Sequence, residues 1–74
     1  MRGKTIYYMI GIEGKHPFYY LIPINSLLKR EDAKKEIIKI CFDTFSNITE
    51  KDIIIFDHYS AKQAEAMRYD IIGL

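Results

Sequence analysis

The chain has 74 residues, 49% of them hydrophobic and 28% charged, with a formal net charge of +1 at pH 7. That length allows one domain, residues 1–74, and the near-neutral charge excludes the dense basic footprint of a polyanion binder. Cys41 is the only cysteine, which excludes an internal disulfide, and no apolar run reaches the roughly 18 residues of a membrane span.

A domain this short buries only about 60% of the surface its unfolded chain exposes, so it gains most from an added stabilising device. His16 and His58 have no ligand pattern around them, so no metal and no cofactor is expected. Oligomerisation is the device that is left. The lone thiol and the absence of an export leader point to a reducing cytoplasm, where the sequon Asn47-Ile48-Thr49 is a chance match. Abundant isoleucine, lysine and tyrosine without tryptophan is a composition associated with AT-rich genomes. By the same association, small proteins without a catalytic motif are common in phages and other mobile elements, where some inhibit a host factor.

Residues 5–12 and 18–24 are two apolar, β-prone runs around Glu13-Gly14-Lys15-His16-Pro17, and they predict a β-hairpin. A hairpin with one wet face should alternate apolar and polar residues. Neither run does. A three-residue loop, Gly14-Lys15-His16, would put Ile6, Tyr8, Ile10 and Ile12 on one face with Phe18, Tyr20, Ile22 and Ile24. Tyr7, Met9, Tyr19 and Leu21 would then share the other face. A two-residue Gly14-Lys15 loop would trade the faces of the second strand. Either register leaves two apolar faces, so a partner is expected on the second.

A helix follows, capped by Asn25 or Ser26 or beginning nearer Arg30. Ala33, Ile37, Ile40, Cys41, Thr44 and Phe45 recur at helical spacing, and Ile38 and Phe42 widen the stripe. Lys29, Glu31, Asp32, Lys35, Glu36 and Lys39 form the wet side, with Glu31 and Lys35 in favourable order, and Ser46-Asn47 ends the helix. A short turn leads to Ile53-Ile54-Ile55-Phe56, a run that fits a strand covered on both faces. Ser60 and Gln63 have the spacing of a capping box for a second helix, whose stripe is Ala61, Ala64, Met67 and Ile71. The apolar tail Ile71-Ile72-Gly73-Leu74 is expected to dock.

The order β-β-α-β-α, with Pro23 confining the second strand to an edge, predicts an α+β domain with a three-stranded mixed sheet of order 2-1-3. The alanine stripe is too thin to cover tyrosines. The second helix is therefore expected beside the first in a two-layer sandwich, with a crossing to the other face as the alternative.

Asp57-His58-Tyr59-Ser60 is the segment closest to catalytic chemistry, with His58 as a base and Ser60 as a nucleophile. Neighbouring residues rarely face each other in that way, and helix capping accounts for Ser60. Cys41 on the apolar stripe reads as a small hydrophobe. No catalytic residue is assigned. The expected function is a non-enzymatic protein-binding module, most simply a homodimer, acting through Tyr7, Met9, Tyr19 and Leu21. One alternative is nucleic-acid binding by the same aromatic face, aided by Arg2, Lys4 and Lys15. Another is a small enzyme or ligand site around His58.

Overall fold

The computed structural model describes residues 3–74, and Arg2 lies outside them. Strands β1 (Thr5–Ile12) and β2 (Tyr19–Asn25) form the hairpin. Ile6 pairs with Ile24, Tyr8 with Ile22 and Ile10 with Tyr20, which is the register of the three-residue loop. Directly opposed residues share a face. Tyr8, Ile10, Ile12, Tyr20, Ile22 and Ile24 are therefore buried together on what we term the even face. The odd face carries Tyr7, Met9 and Gly11 opposite Pro23, Leu21 and Tyr19.

The even face is covered by α1 (Arg30–Thr44), through Ala33, Ile37 and Cys41, and this layer is the main core. Ile40 and Phe45 pack at its margin, whereas Phe42 is 48% exposed and does not widen the buried stripe. Neither Asn25 nor Ser26 caps the helix. Asn25 Oδ1 accepts from the Leu27 N–H at 2.9 Å, and Ser26 Oγ accepts from the Lys4 N–H at 2.9 Å. Both side chains stabilise the turn leaving the sheet, and regular helix starts at Arg30.

Strand β3 (Ile53–Ser60) runs antiparallel to β1 and extends four residues past the expected Phe56. Tyr8 faces His58 and Ile10 faces Ile55, so Met9 alone is opposite Phe56 and Asp57. This bulge absorbs one extra residue and lets the strand continue with its faces preserved. Helix α2 (Ala61–Met67) follows, and β4 (Asp70–Ile71) then pairs parallel to β2. The mixed α+β class, the two helices and the placement of the first three strands agree with expectation. The sheet itself has four strands, in the order β3-β1-β2-β4.

The fourth strand corrects the expected sheet, and it reassigns Ile71 from a helix stripe to a strand. Arg68 adopts a left-handed conformation (φ 59°) that ends α2 a turn before Ile71. Pro23 is nevertheless placed as its missing N–H requires: β4 reaches only Tyr20 and Leu21, so the outer edge at Pro23 has no ladder partner. The tail docks in part. The Ile72 N–H donates to the Leu21 carbonyl at 2.9 Å and its side chain packs on the main core, but Leu74 is 94% exposed.

The second correction concerns the layers. Leu21 and Ala64 are the buried side chains that do not belong to the main core. Leu21 is on the odd face, α2 packs against β1 and β3, and Tyr69 just beyond α2 stacks on the odd-face Tyr19. Helix α2 thus lies across the odd face, not beside α1. The geometry of crossovers explains this. The β2-α1-β3 connection passes one way across β1, and the β3-α2-β4 connection returns across β1 and β2. Two crossovers of the same hand that run in opposite directions occupy opposite faces of the sheet.

Candidate recognition surface

The odd face is only partly closed by α2. Seven helical residues rise about 10 Å, whereas an eight-residue strand extends about 26 Å. The hairpin end of the face, around Gly11, remains beyond the helix. Four aromatic rings collect there. Tyr19 is their centre, with ring centroids 4.8 Å from Phe18, 5.7 Å from Phe56 and 5.3 Å from Tyr69. These separations are typical of attractive edge and tilted aromatic pairs.

Each ring reaches the cluster for a local reason. Tyr19 is the odd-face residue opposite Gly11. Phe56 is the first residue of the bulge in β3, opposite Met9, and its ring meets Tyr19 on the odd face. Tyr69 is returned to the sheet by the left-handed Arg68. Phe18, just before β2, swings its ring over Gly11. A Cβ built on Gly11 would collide with that ring and come within 3.1 Å of Phe56 Cε2. The missing side chain at Gly11 is therefore the floor on which the rings meet. Tyr19, Phe56 and Tyr69 are 39%, 40% and 37% exposed, and Ile71 beside them on β4 is also exposed.

Of the four residues expected on the binding face, only Tyr19 is exposed. Tyr7 and Met9 are half-buried, and Leu21 is fully buried on the face that α2 covers. Leu21 is thus part of the interior. Phe56 and Tyr69 were not expected there, and Phe18, expected on the even face in this register, turns its ring over Gly11 instead. Gly11 inside an otherwise bulky strand was the available signal, since such a glycine marks a close approach.

The other candidates have plain structural roles. Ser60 Oγ accepts from the Gln63 N–H at 3.2 Å, and Gln63 Oε1 accepts from the Ser60 N–H at 3.0 Å, completing the expected capping box. His58 lies at the surface with Nδ1 3.7 Å from Asp57 Oδ1, too far for a hydrogen bond, and its ring rests 5.4 Å from that of Tyr8. His58 lines neither the cavity beside Arg30 and Lys34 nor the groove beside Pro23 and Ile40. Cys41 is fully buried, and burial pushes its thiol up to about 11, so it stays protonated at neutral pH. Burial, then the nearby Asp70 carboxylate, raises the Tyr20 phenol.

Among the described residues no group of His, Cys, Asp and Glu could hold a metal ion, and no helix is long and apolar enough to cross a membrane. No family model matches this chain, and neither a curated protein nor a solved structure gives a significant match. Its surface has to be interpreted from its own chemistry.

Proposed function

We propose that the chain is a non-enzymatic module that binds protein through the aromatic end of its odd face, with a second copy of itself as the first partner to test. The observation that carries this reading is the cluster of Phe18, Tyr19, Phe56 and Tyr69, left partly exposed where α2 ends. Scattered exposed aromatics are ordinary, but contiguous ones mark interaction sites. Rings already held against one another lose little freedom on binding, and tyrosine brings apolar area with a polar tip. Tyr7 and Met9, half-buried on the same face, would form the edge of the surface.

Nucleic-acid binding draws less support. Lys4 precedes β1, about 20 Å of strand away from Gly11. Lys15 Nζ sits 5.9 Å from the centroid of Phe45, a residue that packs on the even-face Tyr20. Lys4 and Lys15 are thus away from the rings.

Sedimentation velocity across a concentration series tests the proposal. The native chain should form a dimer that the pair Tyr19→Lys and Phe56→Lys converts to a folded monomer, with circular dichroism unchanged. A chain that stays monomeric at millimolar concentration would overturn the homodimer. Titration with a single-stranded oligonucleotide at two salt concentrations separates the rival class. Binding that weakens steeply with salt would favour nucleic acid over protein.

A further inference from the structure

The even face carries a second feature, independent of the aromatic surface. A cavity of about 260 Å³ opens between the first half of α1 and the β1–β3 side of the sheet, lined by Tyr8, Arg30, Lys34, Ile37, Ile53 and Ile55. Three isoleucines and the Tyr8 ring supply its apolar part, and Arg30 and Lys34 its polar part. Arg30 and Lys34 are exposed and four residues apart on α1, so they lie one above the other on the same side of the helix. The one ion contact among the described residues joins Asp57 and His58, so neither cation is paired. Glu31 and Asp32 occupy the same helical turn but do not line the cavity.

Tyr8 is the polar side chain that the sheet places at this cavity. It is only 8% exposed, and among the described residues its hydroxyl has no hydrogen-bond partner. Among the described residues no buried side-chain polar atom is left unsatisfied, so this hydroxyl is open to solvent, and Tyr8 is one of the residues that line the cavity. A largely buried tyrosine whose hydroxyl is open to solvent, two unpaired cations and three isoleucines thus line one small volume. The site also adjoins the start of α1, which has no side-chain cap and presents the positive end of the helix dipole.

We propose that this cavity binds a small organic carboxylate with a compact apolar body. The carboxylate takes charge-assisted hydrogen bonds from Arg30 and Lys34, and the Tyr8 hydroxyl donates to it. The body displaces water from Ile37, Ile53 and Ile55. At about 30 Å³ per water-sized unit, the volume suits about nine non-hydrogen atoms. Benzoate is a probe of that size. Inorganic phosphate would satisfy the cations and leave the apolar lining wet.

Titration of the native chain followed by two-dimensional NMR tests this. Benzoate should give saturable shifts at Tyr8, Ile37 and Ile55, with benzyl alcohol and inorganic phosphate each at least tenfold weaker. Arg30→Gln combined with Lys34→Gln changes only exposed side chains, so it should keep the fold and weaken benzoate at least tenfold while leaving benzyl alcohol unchanged. Tyr8→Phe should weaken benzoate about threefold. Absence of saturable shifts, equal binding of benzyl alcohol, or binding of phosphate as tight as that of benzoate would each overturn the proposal.

Discussion

The two faces of one sheet are covered to different extents, and the difference comes from helix length. On the even face, 15 residues of α1 span about 22 Å, nearly the length of the strands beneath. Isoleucine, tyrosine, alanine and cysteine form a continuous core there, with the cavity beside Arg30 and Lys34 at its margin. On the odd face, the seven residues of α2 close only the ground around Leu21 and Ala64. Beyond them the aromatic rings cover one another without being covered. Equal hydrophobicity in the strands thus yields a core on one face, and on the other a small core joined to a surface.

The strongest way to break this comparison is to remove side chains from the two interiors. Ile37→Ala under α1 and Leu21→Ala under α2 should each cost about 3 kcal/mol in chemical denaturation, since both side chains are fully buried. A cost below about 1 kcal/mol at Leu21 would mean that α2 does not cover the odd face.

Next in size is an alkaline test of the even-face core. The folded Cys41 thiol keeps its proton to about pH 11, whereas in the unfolded chain it releases it near its ordinary 9.0. Between those values the folded state binds more protons, so stability falls as pH rises, by roughly 2–3 kcal/mol in total. Below pH 9 that contribution is fully present. Denaturation at pH 8 and pH 11 should show the loss, and Cys41→Ala should remove most of it. The raised Tyr20 phenol acts in the same direction.

Gly11→Ala probes the aromatic end alone. Its methyl group would drive into the Phe18 ring and crowd Phe56, at an expected cost of about 1–2 kcal/mol. The aromatic NMR signals of Phe18, Tyr19 and Phe56 should move while those of Ile37 and Cys41 stay fixed. The smallest effect is expected at the helix start. Ser60→Ala removes the cap on α2 and should cost about 1 kcal/mol in thermal unfolding, without altering α1.

Much of this architecture was legible in local chemistry. The two strands of the hairpin, the stripe of α1 and the Ser60–Gln63 cap each follow from spacing that the chain itself imposes. Pro23 predicted β2 as an edge strand, whereas β4 pairs with its first half and leaves only the outer side at Pro23 without a ladder partner. The strand at β4 was not legible, since two residues give no periodicity to detect. Its position depends on Arg68 turning the chain at the end of α2. The candidate surface was half legible. Failed alternation at Tyr7, Met9, Tyr19 and Leu21 located the odd face, but not which part of it stays open.

By itself, then, the sequence determined the first three strands, the two helices, their order and the presence of two apolar faces on one sheet. Side-chain period is a property of the backbone, and it can be read before any folding is known. Only the tertiary structure decided which face each helix covers and how far. That depends on the direction of each crossover and on where a helix seven residues long comes to its end, neither of which leaves a mark in the strands it covers. Leu21 and Tyr19 are two positions apart on the same face of β2, and the reach of α2 alone makes one interior and the other surface.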